Sequence, residues 1–152
     1  DGRVTFWVAS QQGYNGFLHY LFNGWKANND LPGPRWPETP WLPYSGENQK
    51  HRNGSGYFLY PGPDGVPVAS VRMELVREGI EDWETLELLK EAVARAEKNG
   101  NTDAAALAQA EAALKAAAEI APEPDQFTLD MDRILATREQ VAEAIMALGG
   151  GK

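Results

Sequence analysis

A chain of 152 residues is long enough for one domain with a real hydrophobic core. It has no cysteine, which excludes a disulfide framework and thiolate metal ligands, and no apolar run near the roughly 20 residues of a membrane span. Its net charge of −8 argues against a nucleic-acid partner, which needs a basic footprint.

Residues 3–12 support two patterns. Val4, Trp7 and Val8 fit a helical face, whereas Val4, Phe6 and Val8 fit a strand. Gly13 and Asn15-Gly16 end that segment. Phe17, Leu18, Tyr20, Leu21 and Phe22 then make a nearly continuous apolar run, the pattern of a strand buried on both faces. Asn23-Gly24 stops it. Residues 26–55 predict no regular element, because prolines 32, 34, 37, 40 and 43 exclude helix interior and central strand. Trp36, Trp41 and Tyr44 lie among those prolines, so the stretch reads as a stiffened aromatic loop of the kind often used for binding.

Residues 57–60 predict a short strand, and 61–67 a Pro/Gly turn. A long helix begins near Ser70, a suitable N-cap, with apolar positions Val71, Leu75, Val76, Ile80, Trp83, Leu86, Leu89 and Val93. Gly79 inside it costs ~1 kcal/mol against Ala, which predicts a close contact or a bend. Asn99-Gly100 closes this helix, with Asn101 or Thr102 expected to cap the next. Residues 103–120 are rich in Ala, with a seam through Leu107, Leu114 and Ile120, and predict an antiparallel helical hairpin. Asp130 can cap a last helix over 131–148, with Ile134, Leu135, Val141, Ile145 and Leu148 on its face. The whole negative balance falls after residue 70, on what read as solvated helix faces.

Few residues carry recognisable chemistry. His19 and His51 have no metal-ligand spacing. His19 sits in the apolar run, where a satisfied core or pocket histidine is expected. No serine elbow and no phosphate-binding glycine loop is present. Glu81-Asp82 is an acidic pair, but neighbours on a helix diverge by about 100 degrees, so pairing, capping or solvation is expected. Glu74 and Arg77 are spaced as a helix ion pair. Tyr20, Asn23 and Trp25 lie at and past the end of the first predicted strand, and Tyr60 at the end of the second. Aromatic faces stack on the C–H faces of sugars, and an Asn amide both donates to and accepts from hydroxyls.

The string GSGYFLYPGPDGVPVASVRMELVREGIEDWETLELL resembles the pattern G-x-G-x-L-x-Y-P-G…S-x-R-x-E-x-x-R-x-G-I-E-D-Y-E-x-L. That pattern marks the C-terminal part of the catalytic domain in glycoside hydrolase family 123-like proteins, the domain of unknown function 4091 group. GYNGFLHYLFNGW is similar to that family's G-x-x-G-F-L-Y-W-x-x-N-x-W, and TREQVAEAIMAL to its last helix.

The resemblance implies an α/β fold: the C-terminal portion of a (β/α)8 TIM-type barrel, contributing its last two strands, followed by a mainly helical C-terminal segment. Residues 1–98 would belong to the barrel and 99–152 to a helical hairpin and terminal helix. Residues 3–12 would be a helix, 16–22 the seventh strand, 56–60 the eighth and 70–98 the closing helix. It implies a retaining, substrate-assisted N-acetyl-β-galactosaminidase type of activity on β-linked N-acetylhexosamine, with an adjacent catalytic Asp-Glu pair upstream of this chain. Glu81-Asp82 matches the helix motif instead. The implied substrate-binding residues are Tyr20, Asn23, Trp25 and Tyr60, with His19 beside them. His19-Tyr20 departs from the family's usual Tyr-Trp, and Trp83 from its Tyr. No cofactor is implied. The implied partners are a carbohydrate (glycan) substrate and the upstream part of the chain's own barrel, and a secreted or periplasmic setting is favoured. Two alternatives stay open: a non-catalytic carbohydrate-binding relative, and a helical interaction module.

Overall fold

The computed structural model describes residues 2–19, 22, 58–62, 66–99 and 103–149. These form, in order, α1 (Val4–Gln11), β1 (Leu59–Pro61), β2 (Pro67–Ala69), α2 (Val71–Asn99), α3 (Ala104–Ile120) and α4 (Met131–Gly149). They divide into two compact units. One comprises Asp1–Gly16 with Arg77–Lys152, and the other Phe17–Val76.

The first unit is helical. Of the two patterns open for residues 3–12, the helix is the one that forms, and Gly13 ends it in the left-handed region at φ 69°. Its core gathers Val4 and Trp7 of α1, Leu86 and Leu89 of α2, Ala110, Ala113 and Ala117 of α3, and Ile134, Val141 and Ala144 of α4. α3 presents its alanines to this core and packs chiefly on α4, because small side chains let two backbones approach. Leu107 and Leu114, the expected seam, are only half-buried. Asp103 caps α3 by accepting from the Ala105 N–H at 2.9 Å. Asn101 and Thr102, the expected caps, lie outside the described residues. Asp130 caps α4 as expected, its Oδ1 accepting from Asp132 N at 3.1 Å and Arg133 N at 3.2 Å.

Gly79 explains how α1 and α2 meet. A Cβ built there would stand 2.5 Å from Phe6 Cδ2 and 2.9 Å from the Arg3 carbonyl oxygen. Only a residue without a side chain permits that approach. A second tie follows further along α2. Lys90 Nζ donates to the Ser10 carbonyl at 2.8 Å and to Glu87 Oε1 at 2.7 Å. This places a cation at the C-terminal end of α1, where the helix dipole favours it.

The buried stripe of α2 differs from the expected one. Gly79, Asp82, Leu86 and Leu89 are buried, whereas Ile80 is exposed and Trp83 half-buried. Val76, Leu86 and Leu89 are buried as expected; at the two places between them apolar periodicity falls one residue late, because it gives no weight to a glycine at a helix crossing or to a paired carboxylate.

The second unit contains the two-stranded sheet. β1 and β2 run antiparallel, with Leu59 opposite Ala69, Tyr60 opposite Val68 and Pro61 opposite Pro67. Gly62 leaves β1 where a Cβ would collide with the Val66 carbonyl oxygen, so the return of the chain needs glycine there. Ser70 starts α2 as expected: its Oγ accepts from Met73 N at 3.3 Å, while its own N–H donates to the Phe58 carbonyl at 2.8 Å.

The expectation of two TIM-barrel strands is corrected. Barrel strands are parallel and joined through helical crossovers, but the described residues hold only this antiparallel pair and four helices. β1 pairs with the next stretch of its own chain, Pro67–Ala69, in antiparallel register. Residues 16–19, the described start of the other expected strand, have no strand structure. Phe17 and Leu18 are exposed, not buried on both faces. An apolar run reports that burial is available somewhere; it does not specify a strand.

Candidate functional site

Two constellations of polar and aromatic side chains stand out among the described residues. Each lies within one unit.

The first surrounds the acidic pair. The Asp82 side chain has no exposed surface. Arg3 grips it with two prongs, Nε to Oδ2 at 2.6 Å and Nη2 to Oδ1 at 2.9 Å. The Trp7 indole N–H donates to Oδ2 at 2.9 Å, and Arg138 Nε stands 3.3 Å from Oδ1. Three hydrogen bonds from Arg3 and Trp7 and the ion pair with Arg138 thus enclose the carboxylate. Arg138 also reaches Glu78 at 3.2 Å and Glu81 at 3.3 Å, and Arg77 reaches the same two carboxylates at 3.2 and 3.5 Å. The hydrogen bonds that Arg3 donates to Asp82 raise its guanidinium above the ordinary arginine value, and the Coulomb attraction of Asp82 adds to this against the opposing cost of burial. A raised cation contributes stability that is complete below its ordinary value and is lost only as pH climbs through the raised one. The Arg3–Asp82 bond therefore survives the whole neutral range on the arginine side.

A carboxylate held this way is paired and closed off from solvent. Proton transfer requires hydrogen-bond reach to a substrate, so Asp82 is a structural group. The expectation that Glu81-Asp82 would pair is met, but its partners were not foreseen. Arg3 and Trp7 lie 79 and 75 positions away in sequence, and no local spacing announces them.

The second constellation lies in the other unit. Strand alternation puts Phe58 and Tyr60 on one face, and both are buried. The His19 ring packs on Phe58 with centroids 4.2 Å apart and on Phe22 at 5.7 Å. Phe22 also receives hydrogen bonds on its carbonyl from the Phe58 and Leu59 N–H groups at 2.9 and 3.0 Å. Beyond Phe58, the Tyr60 hydroxyl accepts from Arg72 Nη1 at 3.4 Å. A row thus runs His19, Phe58, Tyr60, Arg72. Phe17 and Phe22 flank its histidine end and are 44 % and 41 % exposed. Half-exposed rings fixed from below offer apolar faces to a flat ligand.

Of the residues expected to bind substrate, His19 and Tyr60 are in this row. His19 is half-buried, and Tyr60 is 8 % exposed, so its ring is core and its hydroxyl is the part engaged. Tyr20, Asn23 and Trp25 lie outside the described residues, as does the proline loop over 26–55. Phe22, Phe58 and Arg72 were not singled out as site residues; alternation through Phe58 and Tyr60 is the signal that finds one of them. No group of three or more His, Cys, Asp or Glu among the described residues could hold a metal ion.

A family model described as glycoside hydrolase 123, catalytic domain, matches residues 1–89. The chain belongs to this family. The glycoside hydrolase 123 match takes in both constellations except Arg138, which α4 brings from beyond its end. Family membership makes a carbohydrate the class of substrate. No curated protein and no solved structure gives a significant match to the chain. Among the described residues no helix is long and apolar enough to cross a membrane.

Proposed function

We propose that this chain serves a glycoside hydrolase acting on β-linked N-acetylhexosamine, by the retaining, substrate-assisted route of an N-acetyl-β-galactosaminidase. The catalytic Asp-Glu pair is supplied by residues outside these 152. The observation that carries this division of labour is the burial and pairing of Asp82. In the adjacent acidic pair of the family-matched helix, Asp82 is engaged by Arg3, Trp7 and Arg138 and Glu81 by Arg77 and Arg138, which supports a structural part for the pair and not proton transfer.

In this reading Tyr20, Asn23, Trp25, Tyr60 and His19 belong to the wall that receives the sugar. His19, braced on Phe58 and Phe22, supplies a polar ring edge between apolar faces. Substrate assistance departs from the usual two-carboxylate scheme, since the sugar's own acetamido group attacks the anomeric carbon. The wall then has to hold the ring still and keep water out.

The test is hydrolysis of an aryl N-acetyl-β-galactosaminide. The 152-residue chain alone is expected to give no turnover, and a longer protein carrying it is expected to be active. Turnover by the chain alone would overturn the placement of the pair. The same pairing also favours a second reading, a carbohydrate-binding relative without catalysis. That reading requires the longer protein to bind the glycoside and release it uncleaved.

A further inference from the structure

We propose that Arg72 is a specificity residue, selecting glycans that carry an anionic substituent, a carboxylate or a sulfate ester. The proposal rests on the carbohydrate reading above and adds the charge of the substrate to it.

Arg3, Arg77, Arg133 and Arg138 each meet a carboxylate within 4.0 Å. Among the described residues Arg72 and Arg95 meet none, and Arg72 is anchored on a hydroxyl. It is exposed, and among the described residues its hydrogen bond goes to the Tyr60 hydroxyl and not to a carboxylate. A neutral phenol holds a guanidinium in place without cancelling its charge. Tyr60 is itself fixed, since its ring is buried and its strand is paired across Val68. The contact engages one N–H of the fork and leaves others to present to a ligand. A planar fork matches carboxylate and sulfate oxygens in pairs.

The position of this charge is informative as well. Arg72 is the second residue of α2, and a cation in the first helical turn is opposed by the helix dipole. Local stability therefore does not explain why arginine stands there. A side chain placed against its local electrostatics, anchored on a buried ring and turned to solvent, has the features of a recognition group. It also stands at one end of the row whose other end, at His19, is assigned to the sugar wall.

The test compares three probes by titration calorimetry on the full protein that carries this chain. They are methyl N-acetyl-β-galactosaminide, its 6-O-sulfate, and a disaccharide in which glucuronic acid neighbours the same sugar. The expected result is that at least one anionic probe binds about ten-fold or more tighter than the neutral one, the scale of a charge-assisted hydrogen bond. Arg72→Gln should bring that ratio close to unity, and Arg72→Lys should restore part of it. Arg95→Gln, on the same helix, should leave the ratio unchanged. Preference for the glucuronic acid probe alone, or for the sulfate alone, supports the proposal and names the anion. Equal binding of all three probes, or a preference that survives Arg72→Gln in a folded variant, overturns it while leaving the carbohydrate reading intact. Failure of every probe to bind overturns the carbohydrate reading and this proposal with it.

Discussion

Asp82 and Arg72 belong to the same helix and the same family-matched segment, yet their surroundings differ in kind. Asp82 is sealed, with two guanidinia and an indole N–H consuming its oxygens. Arg72 is open, and its anchor is a neutral hydroxyl. One charge is cancelled inside the protein and the other is kept available. The difference teaches that an acidic pair in a motif is no guide to catalysis until its partners are counted. A charge with a neutral partner says more about what the surface meets.

Removing the sealed charge should have the largest effect. Asp82→Ala takes from the buried Arg3 its two-pronged partner, and breaking a buried pair by deleting one partner costs about 3–5 kcal/mol. A urea titration should show the midpoint fall accordingly. A loss below about 1 kcal/mol would mean that the cluster is not the clamp described here.

Gly79→Ala sharpens the same point from the backbone side. Helix propensity alone would favour alanine by ~1 kcal/mol. The Arg3 backbone lies 2.9–3.0 Å from the new Cβ and cannot rotate away as a side chain end would. Overpacking costs about 1–3 kcal/mol, so net destabilisation is expected in thermal unfolding. A gain in melting temperature would refute the close crossing.

Arg138→Met asks how far the C-terminal helix shares in the clamp. Its contacts with Glu78 and Glu81 are partly exposed and are worth little after solvent screening. The contact with Asp82 is better shielded, yet Arg3 remains as its partner. A loss of about 1–2 kcal/mol is expected, smaller than for Asp82→Ala. Equal losses would mean that Arg138 and not Arg3 holds the carboxylate.

Tyr60→Phe should have the smallest effect on stability, within about 1 kcal/mol, since the hydroxyl's bond to Arg72 is long and only partly buried. Its effect belongs in ligand binding, where the freed Arg72 should lose discrimination between anionic and neutral sugars.

The legibility of this molecule follows the range of the interactions involved. Ser70 and Asp130 act within three residues, and both caps are readable from sequence. Gly79 is readable as an anomaly, though its contact, Phe6, is not. The apolar pattern of α2 finds Val76, Leu86 and Leu89 in the core but misses Asp82, which looks polar and is buried. The run over residues 17–22 misled for the opposite reason: Phe17 and Leu18 look like core and are exposed. Burial depends on partners that a single stretch does not reveal, and Arg3 is a partner 79 positions distant. On the candidate site, Tyr60 was found through its place at a strand end, but its burial and its bond to Arg72 required the hairpin.

The central claim is that the family helix contributes structure through Glu81-Asp82 and leaves catalysis to residues elsewhere. The most direct measurement is kcat for aryl N-acetyl-β-galactosaminide hydrolysis by the full protein with Glu81→Gln. This half-exposed side chain can be neutralised without opening the core. The account predicts kcat within about two-fold of the parent, whereas loss of a general acid typically costs 10²–10⁴-fold. A fall of about a hundred-fold or more in a folded variant would contradict it.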